Sequence, residues 1–449
     1  MMKNPRNVNL KQAGRMAIAV LILAVVVLAG CQGQSILDSV FPRQEEALGL
    51  PQPTAISTDS PAARQLPTTS IPAIINLTVW VSPQFDPEAE SEAADLLKSQ
   101  LKEFSRNNPP VNLEVRVKSA SGPGGIMETL TSASAVAPDA LPSLVLISRS
   151  DMVQAISKNL VIPIESLSEI HDNNDWFDFS KELGSFQGTM FCLPLAANAL
   201  GLVYWNTSFN SDQPSWEEVI RQSEKLLFAA GDPEALTTLA LYQSAGGHIS
   251  DKTSQSILNA DALTMVLASY ANAARLQRIP NAILDYQTDE QVWEEFLSNN
   301  NREAVLTWAN HVLVNPKTLK LALLPSLGED PYTLAGGWVW CMVEPHEQNR
   351  ISGMMLMEYL VESEFLAKWA PVSGYLPVRP SSIKGYEGSE LQNTISKILL
   401  SAHVRPDKIQ AMEIGAEIKI AISDVLQRLN TPEESAINTV KRLEVLKTQ

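Results

Sequence analysis

From residue 77 onward, apolar positions recur first at strand spacing and then at helix spacing. Leu77-Thr78-Val79-Trp80-Val81 is a β-rich run that Pro83 stops. Glu88–Phe104 predicts a helix: Leu97, Leu101 and Phe104 lie three or four apart, with acids early and Lys102 late. Val111–Val117 alternates as a second strand. Gly122–Gly125 is a turn, Ile126–Ala137 a helix, Leu144–Ile147 a short strand and Asp151–Lys158 a short helix. Leu160–Ile164 is an apolar segment after it. Strands alternating with helices predict an α/β layer with a mostly parallel sheet.

One stretch organises the rest of the chain. Phe191–Asn206 reads FCLPLAANALGLVYWN, two apolar runs joined at Ala196-Ala197-Asn198 and preceded by a Gln187-Gly188 turn. An apolar run bounded by turn signals predicts a buried strand. The whole stretch reads as a strand that leaves one lobe, crosses a hinge and enters a second. Pro214–Leu227 then predicts a capped helix anchored by Trp216. Leu236–Ser244 and Gly246-Gly247 lead into Asp261–Ala274, a strongly apolar helical segment. Asp289–Leu297 is a helix burying Val292, Trp293 and Phe296. Ala304–Trp308, Leu319–Leu324 and Thr333–Val343 are β-like. Gly353–Trp369 predicts one long helix and Gly374–Arg379 a loop. Leu391–Leu400 and Lys408–Leu429 are amphipathic helices, and Thr431, Pro432 and Glu434 begin a last one to Lys447.

The N-terminus departs from this pattern. Residues 1–30 carry Lys3, Arg6, Lys11 and Arg15 and no acid, then the apolar run Met16–Ala29. That run is too short for a comfortable membrane span and reads as a targeting segment. Its end, Leu28-Ala29-Gly30-Cys31, resembles the bacterial lipobox, which implies acylation of Cys31 and removal of residues 1–30. Residues 31–76 are rich in Pro, Ser and Thr, without periodicity. They read as a tether with a mean reach of about 35–40 Å.

Composition narrows the classes. The chain has 449 residues, more than one ordinary core, and is 45% apolar with a formal charge of −16. No basic stripe is visible, so nucleic acid is a poor partner. Besides Cys31 only Cys192 and Cys341 remain. An exported compartment permits a disulfide between them, but the plainer expectation is two buried free thiols. The acidic, aromatic run His171–Phe179 lacks the EF-hand spacing and glycine, and reads as a loop over Trp176 and Phe179. No P-loop, no GxGxxG after a strand and no HExxH occurs, and the five histidines are scattered. No metal site or cofactor is predicted, and no carboxylate pair stands out for hydrolysis.

Aromatic residues recur at strand ends and in loops: Trp80 and Phe85, Tyr204 and Trp205, Trp308, Trp338 and Trp340, and Tyr375. Such rings stack on the apolar face of a sugar while amides and carboxylates take its hydroxyls. Trp80 and Trp340 lie inside strand runs and read as core. Trp308 and Trp338 lie beside turn or edge residues, where a cleft and a core placement are equally open. The Gly336-Gly337 pair suits close backbone approach or a bulge.

Several weak motifs in order together resemble the extracellular solute-binding proteins of bacterial ABC importers, family 1, which contains maltose- and other sugar-binding proteins. They are LTVWV; KEFSRNNPPVNLEV; LPSLVLISRSDMV; FCLPLAANALGLVYWN; the Thr-Trp segment at Trp308; LALLPS before TLAGGWVW; and KWAPVSGYLPVR. The resemblance runs from about Leu77 to the C-terminus. It departs in Leu-Pro-Ser-Leu before the third strand, in Trp205 inserted into the Tyr-Asn ending, and in Asn198 where an acid often serves the sugar.

The resemblance implies an α/β, two-lobe periplasmic-binding-protein-like fold (type II), with hinge crossover strands and a ligand cleft between the lobes. Residues 77–196 with 324–343 would form the N-terminal lobe, and 197–323 with 344–449 the C-terminal lobe. Ligand contacts would come from Gln84, Phe85, Asp151, Asn198, Tyr204, Trp308, Trp338, Tyr375 and Arg379. The expected protein is a monomer without enzymatic activity. Lipid-anchored to the outer face of the cytoplasmic membrane, it captures a mono- or oligosaccharide for the permease subunits of an ABC importer. An exported carbohydrate-active hydrolase, and a degenerate binding fold serving a sensor or scaffold, remain the alternatives.

Overall fold

The structure, a computed structural model, describes residues 74–167, 170, 174–205, 213–249, 257–298, 303–314, 318–328 and 330–447, all within the unit Ser70–Gln449. The expectations for the targeting segment, Cys31, most of the tether, His171–Asn173 and Asn206 lie outside the described residues.

Eleven strands are present among the described residues. They are β1 (Ile75–Val81), β2 (Val111–Val117), β3 (Leu144–Ser148), β4 (Ser185–Phe186), β5 (Thr189–Met190), β6 (Cys192–Trp205), β7 (Lys225–Leu227), β8 (Glu303–Trp308), β9 (Leu319–Ala322), β10 (Thr333–Met342) and β11 (Ala402–Val404). The main sheet runs β2-β1-β3-β10-β6-β8-β7, with β11 also pairing β10 and β9 also pairing β6. β4 and β5 form a separate hairpin whose turn holds Gln187 at φ 51° and Gly188 at φ 83°, the left-handed pair of a tight hairpin.

The sheet is mixed, not mostly parallel. Its ends are parallel, in the pairs β1–β2, β1–β3 and β7–β8. Its centre is antiparallel, in β3–β10, β10–β6, β6–β8 and β6–β9, apart from the short parallel pair β10–β11. β10 returns along β6 against the direction in which β6 crossed, and that return sets the antiparallel centre.

β6 is the predicted long strand, 14 residues without a break. Its first part, Cys192–Ala199, pairs β10. Its last part, Leu200–Trp205, lies in register with β8 and β9. Almost every residue of it is buried, which accounts for the continuous apolar run. The exception within the crossover is Asn198, half-buried. The β6–β10 register shifts between Trp338 and Val339: Trp338 faces Ala196, while Val339 faces Pro194. Pro194 has no N–H for the ladder, and a bulge is where a strand tolerates that loss.

Cys192 and Cys341 face each other in this register and are joined by a disulfide, with Cα atoms 4.4 Å apart. This corrects the expectation of free thiols. The cysteines are 149 residues apart in sequence, and only the pairing of the two strands brings them together.

The helices bury the faces their periodicity predicts. Glu92–Asn107 is capped by Ser91, which accepts the Ala94 N–H, and buries Ala94, Leu97, Leu101 and Phe104. At the other end, Thr431 and Glu434 form a reciprocal capping box ahead of Pro432–Lys447. Trp80 and Trp340 are core, as expected. So are Trp176 and Phe179, beneath the acidic loop.

Three segmental expectations change. Strand β1 starts at Ile75, inside the expected tether, because Ile75 and Asn76 already pair with Val111 and Asn112. Pro214–Leu227 is not one helix: Ser215 caps Trp216–Gln222, then buried Ser223 turns extended and β7 joins β8. The long helix of Gly353–Trp369 is two helices, Glu347–Leu360 and Ser363–Ser373, because Val361, fully buried, and Glu362 leave helical geometry. These two helices pack on β1 and on Glu92–Asn107, with Gln100 Nε2 donating to the Tyr359 carbonyl at 2.9 Å. Residues 347–373 thus pack on the first strands and on Glu92–Asn107, and also border Val312, Leu319 and Leu321 along a groove.

Candidate functional site

Where β6 passes from β10 to β8, the ends of β3 and β8 and the middle of β10 surround a cavity of about 230 Å³. Of the nine predicted ligand residues, Asn198, Trp308, Trp338 and Tyr375 line it.

The Trp308 wall is held by a small network. Asp289 Oδ2 accepts the Thr307 hydroxyl at 2.6 Å and the Trp308 N–H at 3.3 Å. The same oxygen lies 2.7 Å from His311 Nε2, and the His311 ring stacks on Trp293 with centroids 5.0 Å apart. Asn198 Nδ2 donates to Asn310 Oδ1 at 2.7 Å, and the Asn310 N–H returns to Asn198 Oδ1 at 3.1 Å. The crossover strand is thereby tied to the segment after Trp308.

The opposite wall is an aromatic stack. Phe85 is buried and lies edge-on to Trp338, centroids 5.1 Å apart, and parallel-displaced from Tyr375 at 5.7 Å. Phe85 thus backs the two rings that line the cavity. Burial pushes the Tyr375 hydroxyl up from its ordinary range, and the Gln84 and Trp338 side chains facing it pull partly back. Tyr386 donates its hydroxyl to the Tyr375 carbonyl. The floor is glycine where β6 and β10 touch: a Cβ on Gly337 would lie 2.4 Å from the Ala196 carbonyl oxygen.

The third wall comes from Ser148-Arg149-Ser150, all lining the cavity. Ser148 caps the helix Arg149–Ser157: its hydroxyl accepts the Asp151 N–H at 3.1 Å and donates to Asp151 Oδ2 at 2.8 Å. Asp151 is therefore spent on the cap and faces a different hollow, beside Ala120–Gly125. Its carboxyl is pushed up by burial, against the pull of Ser148 and Lys408.

Arg149 and Arg405 both reach this cavity and share a second hollow of about 90 Å³ with Asp407 and Lys408. Arg405 forms an ion pair with Glu234. Arg149 Nε and Nη1 are buried with no hydrogen-bond partner among the described residues. Burial lowers the Arg149 guanidinium, and the charges of Glu182 and Asp407 oppose that shift.

Besides Asp151, two more predicted residues are placed elsewhere. Arg379 is buried under Trp176, 4.0 Å from its ring, with Nη1 3.6 Å from Asp175. It ties the 374–385 segment to the loop before Asp178. Tyr204 is buried in β6 beside Ala304 and Lys320, and Trp205 packs on Phe296 at 5.7 Å. A larger groove of about 1050 Å³ runs beside β9 and the helices Ser363–Ser373 and Ser389–Leu400. It gathers none of the tryptophans, whereas the smaller cavity collects two of them with convergent amide, hydroxyl and guanidinium groups.

The sequence reading missed Ser148, Arg149, Ser150, Glu290, Asn310, His311 and Arg405 on these walls. The first three sit directly before Asp151, and S-x-x-D ahead of a helix is a capping signal that would have turned attention to the two residues between. Asn310 and His311 follow Trp308 almost at once. Arg405 has no local signal. No group of ligating residues fit for a metal occurs among the described residues, and no helix among them is long and apolar enough to cross a membrane.

This α/β fold with a cavity at the crossover is that of the two-lobe binding proteins. The profile described as bacterial extracellular solute-binding protein matches residues 99–394, and the chain belongs to that family. Its structure is similar to the sugar-binding protein MalE of Xanthomonas citri, at TM-score 0.66 and 17% identity, covering 83% of this chain and 97% of that one. It is also similar to the cyclic α-maltosyl-1,6-maltose binding protein of Arthrobacter globiformis, at 0.64 and 16%, covering 83% and 99%. The GacH receptor of Streptomyces glaucescens gives 0.61 and 15%, covering 83% and 98%. At these identities the likeness is one of fold. No curated protein sequence matches the chain.

Proposed function

We propose that this chain is a membrane-anchored receptor that captures a carbohydrate outside the cell and hands it to an ABC importer. The observation that carries this is the pairing of Trp308 and Trp338 on one cavity with Asn198, Asn310, Ser148 and Ser150. Two indole faces and convergent neutral hydrogen-bonding groups suit a sugar's two apolar faces and its rim of hydroxyls. Three similar structures are of proteins that bind maltodextrins, an acarbose or a cyclic maltosyl-maltose by their descriptions, which supports the same class here.

In this reading Asn198, Trp308, Trp338 and Tyr375 touch the ligand, and Phe85 and Gln84 hold the Tyr375–Trp338 wall. β6 is the hinge strand, and ligand closes the lobes by contacts made only in the closed state. Cys31 carries the lipid and the residues between it and β1 the tether, which keeps a monomer at the outer face of the cytoplasmic membrane. The receptor returns its ligand unchanged. Saturating saccharide should change tryptophan fluorescence and raise the melting temperature. Chromatography of oligosaccharides incubated with the protein should recover them intact; cleavage products would mark it as a hydrolase instead.

A further inference from the structure

The charge on the cavity wall does not match a purely neutral ligand. Among the lining side chains of the cavity and its adjoining hollow, the cations are Arg149, Arg405 and Lys408, and the acids are Glu290 and Asp407. Arg405 forms an ion pair with Glu234, though its Nη2 is likewise buried without a hydrogen bond among the described residues, and Glu290 is exposed. Arg149 has two nitrogens buried without an acceptor and, unlike Arg405, no ion pair among the described residues. Glu182 and Asp407 act on it only through their charge. Arg149 is half-buried, and guanidinium nitrogens taken from water with their hydrogen bonds unmade are disfavoured unless an acceptor completes them. It lines the cavity one residue past Ser148, which pairs with Trp338 in the sheet, and the cavity is the place an anionic acceptor would occupy.

We infer that the ligand is an anionic saccharide, its ring held between Trp308 and Trp338 and its acidic group taken by Arg149 beside Arg405. Guanidinium presents parallel N–H groups that match a carboxylate or phosphate in a forked pair. The cavity is small, about 230 Å³, below the roughly 300–1,000 Å³ of ordinary ligand sites. One or two rings fit it better than a long chain. The two tryptophans leave the sugar faces covered, so the acidic group projects from the ring edge, as the C6 substituent of a hexuronate or a hexose 6-phosphate does. This inference deepens the carbohydrate reading and rests on it.

The test is calorimetric titration of the full-length protein with D-glucuronate, D-galacturonate, digalacturonate and glucose 6-phosphate, each beside glucose, galactose and lactose. At least one acidic member should bind about tenfold tighter than its neutral counterpart, the gain expected of one charge-assisted hydrogen-bonded pair. A preference for glucose 6-phosphate over the uronates identifies the acidic group as phosphate, and the reverse as carboxylate. Arg149→Met should abolish the preference for the acidic member and not lower the melting temperature of the ligand-free protein. A guanidinium that served the fold would instead leave a less stable variant. Neutral sugars binding as tightly as acidic ones would overturn this inference while leaving the carbohydrate reading in place. Binding of no saccharide, acidic or neutral, would overturn both.

Discussion

Asn198 and Asn310, 112 residues apart in the chain, hold each other by two hydrogen bonds, Nδ2 to Oδ1 at 2.7 Å and backbone N–H to Oδ1 at 3.1 Å. The pair joins the middle of the crossover strand to the residue two places after Trp308. Its consequence is rigidity of one cavity wall: an amide on β6 fixes where the indole beside it can sit. Asn198→Ala strands the Asn310 side chain and N–H, and should lower stability by about 1–3 kcal/mol. Urea unfolding measures it, and an unchanged midpoint would show the pair contributes nothing.

The disulfide joins the two strands that form the cavity floor. Opening it frees a chain segment spanning 149 residues in sequence. The Cys192→Ser, Cys341→Ser double variant should lose about 2–5 kcal/mol of stability. Alkylation of the denatured, unreduced protein followed by mass spectrometry should find neither Cys192 nor Cys341 labelled, and labelling of both would contradict the bond.

The adjacent glycines should behave differently. Gly337→Ala places a Cβ 2.4 Å from the Ala196 carbonyl oxygen and 2.9 Å from Leu183 Cδ1. It should lose roughly 1–3 kcal/mol through overpacking. Gly336→Ala meets only Arg405 Cδ at 3.5 Å, an ordinary contact, and should change stability by less than about 1 kcal/mol. Equal melting temperatures for the two variants would contradict this placement of the strands.

Asp151 gives a pH dependence. Burial raises its folded pKa above the unfolded value of about 3.9. A raised carboxyl favours the folded state when protonated, so that contribution is complete below the unfolded pKa and is lost as pH rises through the higher folded one. Asp151→Asn keeps an oxygen for Ser148 and cannot ionise. It should therefore be more stable than wild type at pH 7, and the difference should shrink as pH approaches 3. Melting curves across that range decide it; a gap that widens toward acid would reverse the sign.

Local pattern made most elements legible. The β6 stretch, the Glu92–Asn107 helix and the Thr431 cap are each written in consecutive residues, because apolar spacing and caps act within a few positions. The antiparallel centre of the sheet and the Cys192–Cys341 bond were not, since both depend on register between distant strands. At the site the tryptophans of the two wall segments were legible as aromatics beside turns. The family resemblance made Asp151 and Arg379 ligand groups, yet one is engaged by the Ser148 cap and the other by Asp175 and Trp176. Arg149 was passed over for its acidic neighbour, and Arg405 comes from a short strand end with no motif around it.

Trp308 and Trp338 carry the central claim, that this cavity binds sugar. Titration of the wild-type protein with the uronates, glucose 6-phosphate and their neutral counterparts, repeated with Trp338→Ala and Trp308→Ala, is the direct measurement. The expected result is saturable one-to-one binding by the wild type, weakened roughly tenfold or more by each variant. Binding that both variants leave unchanged would place the ligand elsewhere on the molecule and contradict the site.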